Sequence, residues 1–188
     1  LLVRESESRD LILEGRLRME RGLLKVQSGE LEDALDDLDW ALSRLKAMAP
    51  ESRLHGLAIV NKAAYHEHRG EGMMALHLYG EIPLVSGFPP EIIGFSRVGA
   101  ARIHTSHASF SDSCRHLWNA HRLFSDAGEP GLALHAGLEF LRVAQAFADP
   151  AAKRMAEQVE SAAPRQVGED QTTAAVNPRD LSLVAHNL

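Results

Sequence analysis

The chain has 188 residues, 45% apolar and 24% charged, enough to bury a core in one domain or one continuous array, and disorder is not expected. Its formal net charge of −6 supplies no basic face to draw in nucleic acid or anionic lipid. The single cysteine, Cys114, excludes an internal disulfide and a paired-cysteine metal knuckle, which fits a reducing compartment, most simply the cytoplasm.

Only 5% of residues are aromatic, and Ala and Leu dominate over Val, Ile, Thr and Tyr, so the expected class is all-α. No run approaches the ~18 consecutive apolar residues of a membrane span. The opening LLVRESESRD lacks the basic, apolar, small-residue order of a signal peptide. The first residue is Leu1, so a fragment or processed form of something longer is expected.

A first helix is predicted over about residues 10–26, with Leu13, Leu17 and Leu24 on one face and Met19, Leu23 and Val26 on an adjoining one. Gly29 breaks it. The second helix runs from Glu30 to Met48, acidic in its early turns and basic near its end as the helix dipole favours, and Pro50 closes it. Ala34, Leu38, Ala41 and Leu45 form a single stripe on this helix, and its two alanines let a neighbour approach closely.

Ser52 is placed to cap a third helix reaching about His68, and a fourth is predicted from Met73 to Val85 after the turn at Gly70 and Gly72. Ser86, Gly87, Phe88, Pro89 and Pro90 end that hairpin. Helices follow at about 91–108, 111–126 and 131–148, with a break at Gly128 and Pro130. An eighth is expected to start at Asp149 and Pro150 and to fade near Ala163. Residues 164–176 read as a linker, and residues 177–188 as the start of a further helix or following domain.

Ala34, Ala75 and Cys114 stand at one position of successive hairpins, 41 and 39 residues apart, followed by Leu38, Tyr79 and Trp118 and then by Ala41, Ile82 and His121. A helix-turn-helix unit recurring every forty or so residues marks a solenoid. With Gly22 on its first helix and Gly29 at its turn, the first unit resembles the tetratricopeptide repeat family, whose second helix carries the same small-large-small pattern. The second copy keeps Ala63, Gly70, Ala75 and Tyr79.

The resemblance spans about residues 10–127 and, more loosely, 131–163. It departs from the family at Arg18 and Lys25, at Arg102 in a glycine position and at His121 in a small one. Its units are longer than the family's usual ~34 residues, as in bacterial regulatory and sensor proteins. It implies a domain over 1–163 of about four antiparallel hairpins in a right-handed superhelix. It also implies a non-enzymatic module that binds a protein or peptide on the concave face of the first helices, as the regulatory part of a larger signalling or transcription protein.

The contacts expected on that face are Arg16, Glu20, Asn61, Ala64, Glu67 and His68, with Arg97 and His104 further along. One branch of the family clamps a terminal carboxylate at the second and sixth positions of those helices. Here these are Arg16 and Glu20, Leu57 and Asn61, then Ser96 and Ala100; only Arg16 and Asn61 suit the task, so a clamp is disfavoured.

Ten histidines raise an alternative, a metal-binding or catalytic domain built on His104, His107, His116 and His121. No HExxH or carboxylate pair organises them, so packing roles are preferred. Cys114 takes a small-residue position, where a thiol packs as a small hydrophobe. The acidic run from Glu30 to Asp39 reads as a solvated face. Glycines 70, 72, 128 and 131 form no phosphate-binding loop, so no cofactor is expected.

Trp40, Tyr79, Trp118 and Phe124 are expected in the core, and Phe88 and Phe95 as exposed anchors near a break. The closing SLVAHNL resembles the opening of a histidine-kinase phosphoacceptor box, and equally a further repeat helix. A third reading makes the array a homodimerisation scaffold of a multidomain parent, an unused apolar end surface being capped by a twin copy.

Overall fold

The computed structural model describes residues 2–147 together with Arg154 and Gln158, both helical. The described residues form seven helices and no strand: α1 (Leu2–Ser28), α2 (Leu31–Met48), α3 (Arg53–His68), α4 (Gly72–Gly80), α5 (Pro90–Ser106), α6 (Phe110–Asp126) and α7 (Pro130–Phe147). The expected all-α class holds. No described helix is long and apolar enough to cross a membrane. The eighth helix, the linker over 164–176 and the SLVAHNL segment lie outside the described residues, apart from Arg154 and Gln158 in the expected eighth helix.

Each helix packs on the next in the chain, and the odd-numbered helices also meet one another, α1 on α3 and α3 on α5. Four turns share one design, in which a residue in the left-handed region follows the helix. The next N–H then bonds back five residues, Glu30 to Lys25, Glu71 to His66, Ser109 to His104 and Glu129 to Phe124, at 2.8–2.9 Å. Gly29, Gly70 and Gly128 hold that left-handed place, whereas the α5–α6 turn puts Ala108 there, at φ 58°.

Ala34, Leu38, Ala41 and Leu45 are completely buried. Across from them, α1 presents bare Cα atoms: a Cβ on Gly22 would stand 3.0 Å from Leu38 Cγ, and one on Gly15 3.1 Å from Leu45 Cγ. The small positions of both helices therefore set how closely they pack. Of the two faces predicted for α1, the one with Met19, Leu23 and Val26 is buried, while Leu13, Leu17 and Leu24 remain exposed. Asp37 is buried among the acids of α2 and is held by Arg21 Nε at 2.7 Å and Lys25 Nζ at 2.9 Å, so that part of the run is not a solvated face.

Two boundaries differ from expectation. α1 begins at Leu2 rather than near residue 10, and α4 ends at Gly80 instead of running to Val85. Pro83 explains the second: it has no N–H to donate and it disfavours helical backbone at Ile82. Residues 81–89 instead form a link in which Ile82 and Phe88 fold back into the core. Gly87 N–H donates to Glu51 Oε2 at 3.1 Å, and the Phe88 ring lies 5.2 Å from that of His55. Phe88 and Phe95, 6% and 5% exposed, are core residues and not surface anchors. Tyr79 and Phe124 are buried as expected, whereas Trp40 and Trp118 are only half-buried, Trp40 lying beneath the Arg18 guanidinium at 4.1 Å.

Candidate functional site

The odd-numbered helices carry a chain of charged groups. Near the end of α3, the Glu67 carboxylate accepts from Arg102 of α5 through Nε at 3.1 Å and Nη2 at 3.0 Å. It also accepts from the Tyr79 hydroxyl, which rises from the core beneath it. Burial, then the adjacent carboxylate, raises the Tyr79 pKa well above the usual 10, so the phenol stays a donor. Tyr79 fits there because α5 has a glycine against its ring; a Cβ on Gly99 would overlap Cζ and the hydroxyl.

Two cavities adjoin this network. One, about 250 Å³, lies among α5, α6 and α7, with Val98, Ala101 and Leu117 as apolar wall and Arg102, His135, Glu139 and Arg142 as polar lining. The other, about 370 Å³, is bounded by Glu67, Arg102, Ser106 and His107 beside the α3–α4 turn. Arg102 and Ser106 line both. On α7, Arg142 donates to Glu139 through Nη2 at 2.7 Å. His135 Nε2 is buried with no hydrogen-bond partner among the described residues, and burial lowers the pKa of this imidazole.

The sequence-predicted contacts scatter around this site. Glu67 belongs to it, and His68 beside it is exposed. Arg16 and Glu20 pair with each other at 2.9 Å on the outer part of α1, and Ala64 is half-buried. Asn61, 1% exposed, cannot be touched by a ligand without opening the core, and neither end of its amide finds a partner among the described residues. Arg97 turns the other way, donating through Nη2 to the Ile82 carbonyl. His104 stacks on His116 of α6, with ring centres 5.2 Å apart.

Arg97 and His104 sit five residues before and two after Arg102, which on a helix turns them well away from its face. That is the physical reason they do not join the site. Arg102, His135, Glu139 and Arg142 were not among the expected contacts. The available signal was the mismatch at Arg102: an arginine where the tetratricopeptide pattern has glycine reaches across to Glu67 of α3, and Arg142 follows it by 40 residues.

The four-histidine alternative is not assembled. His107 Nδ1 is 2.9 Å from its own helix's Ile103 carbonyl, and His121 Nδ1 is 2.9 Å from the Ala133 carbonyl. His104 and His116 lie face to face, an arrangement of stacked rings and not of converging nitrogens. Burial, followed by the nearby charges of Arg97, His104 and Arg115, lowers the pKa of His116 to about 4. Among the described residues no three His, Cys, Asp or Glu side chains are grouped to hold a metal ion. Cys114 is buried with Ala101, Leu117 and Phe140, as its small position implied.

No protein-family model matches the chain, and neither a curated protein nor a solved structure gives a significant match.

Proposed function

We propose that this chain is a tetratricopeptide-like array that binds an extended peptide or the helix of a partner protein along its first-helix face. The observation carrying this reading is the pair of adjoining cavities that share Arg102 and Ser106 and extend from the end of α3 to α7. The charges along them are matched in pairs, Glu67 with Arg102 and Glu139 with Arg142. A strongly charged ligand therefore gains little. A peptide that seats one apolar side chain against Val98, Ala101 and Leu117, with its backbone amides among the paired charges, uses both kinds of lining.

We read the site as binding and not catalytic, because the carboxylates and guanidiniums nearest the cavities are hydrogen-bonded to each other. The placement of such an array in the regulatory part of a larger bacterial signalling or transcription protein rests on the resemblance of its elongated units.

Panning a displayed peptide library on the purified chain tests the proposal. Ser106 is exposed and borders both cavities, so Ser106→Trp should leave the fold intact while blocking them. Selected peptides should share an apolar anchor and lose at least about tenfold in affinity on that variant. Selection of no peptide, or equal binding to Ser106→Trp, overturns the reading.

A further inference from the structure

α1 has a second apolar seam that no other described helix covers. Its inner side, with Gly15, Met19, Gly22, Leu23 and Val26, is buried, and α1 packs on α2 and α3. Its outer side carries Asp10, Leu13, Leu17, Glu20, Leu24 and Gln27, at steps of three, four, three, four and three. That is the heptad spacing of helices that pair lengthwise. Leu13, Leu17 and Leu24 are 55%, 56% and 64% exposed. Three leucines this exposed on one row differ from scattered surface apolar residues, which need no explanation.

We propose that this seam is a homodimer interface in which α1 pairs with α1 of a second copy in antiparallel register. A surface that binds its own twin about a two-fold axis must be complementary to itself. This one is. The outer leucines, Leu13 and Leu24, have their midpoint between residues 18 and 19, and the oppositely charged Arg16 and Glu20 have theirs at residue 18. The two centres lie half a residue apart, so one antiparallel register brings both patterns close to their partners. It sets Leu13 level with Leu24 of the twin and Leu17 level with the twin's Glu20, so the two Leu17 side chains lie just to either side of the axis and Arg16 is one residue from level with the twin's Glu20.

A parallel pairing in the same heptad frame instead brings Arg16 against the twin's Arg21 across the seam. The Arg16–Glu20 pair within each helix, at 2.9 Å, already holds the two charges beside the leucine row. An interface of three leucines per copy is small for a permanent complex, so the dimer should dissociate on dilution.

Light scattering over a dilution series of the full chain, from about 100 µM downward, tests this, with circular dichroism to check that each variant folds. Wild type should be dimeric at the top of the series and monomeric at the bottom. Leu17→Glu, an exposed position, should be folded and monomeric throughout. Arg16→Glu should weaken the dimer by on the order of tenfold, since each dimer turns two attractive contacts into repulsive ones, and Arg16→Glu with Glu20→Arg should restore it. A wild type monomeric at every concentration overturns the proposal and leaves the seam to a different partner. So does a dimer indifferent to Leu17→Glu, and failure of the double exchange to rescue overturns the antiparallel register.

Discussion

The Tyr79 ring rests against the bare Cα of Gly99, and the contact fixes the hydroxyl beneath Glu67. Any side chain on Gly99 must displace a fully buried ring whose phenol is tied to a carboxylate that in turn holds Arg102. Gly99→Ala should therefore destabilise the fold by about 2–3 kcal/mol, overpacking and loss of the network acting together. Gly131→Ala is the control. A Cβ there meets no described residue within 4 Å, so helix propensity alone should stabilise by about 0.5 kcal/mol. Urea unfolding of both variants checks this, and equal effects would refute it.

Ala108 occupies the left-handed turn position that glycine fills in three sibling turns. An L-residue there is strained by roughly 1 kcal/mol, more than the entropy a glycine adds to the unfolded chain. Ala108→Gly should thus raise stability by up to about 1 kcal/mol, seen as a higher melting temperature. A lower one would mean that the Ala108 methyl makes a packing contribution exceeding the strain.

Asn61 was expected to face a partner and is instead buried with its amide unpaired among the described residues. A buried amide without partners costs about 1–3 kcal/mol, and Leu is of similar size. Asn61→Leu should stabilise the fold by about 1 kcal/mol in chemical denaturation. A loss of stability on this exchange would contradict the account.

Acid should weaken the fold in two stages. His116, its pKa lowered to about 4, and His55 and His135, also lowered by burial, take up protons in the unfolded chain before the folded one. Their contribution is complete above their ordinary 6.5 and falls as the pH drops, for His116 down to about 4. Asp37 follows. The Arg21 hydrogen bond, with help from Lys25 and against burial, lowers its pKa to about 2, so its contribution is lost between 3.8 and that value. The melting temperature should decline below pH 6.5, and less steeply in His116→Gln; a flat profile from pH 7 to 5 would refute the first stage.

The contrast between Glu67 and Arg97 shows how far local pattern reached. Both were expected on one binding face from their register in the repeat. Glu67 borders a cavity and Arg97 does not, because Arg97 finds the Ile82 carbonyl, freed where Pro83 ends α4 early. Arg102 departs from the tetratricopeptide pattern, and only the placement of α5 against α3 brings it to Glu67.

From the sequence alone one could read the helical class, most helix boundaries, the glycine turns and the Ala34–Leu38–Ala41–Leu45 stripe. These depend on period, capping and φ, which act over a few residues. The structure alone decided that Met19 and not Leu17 faces inward, that Asn61 is enclosed, that His104 stacks on His116, and that Arg102, Glu139 and Arg142 line the cavities. A helix's own pattern defines its faces but does not say which of them its neighbours cover. That depends on how closely the small residues of adjoining helices let them approach, and on where each turn sends the chain next.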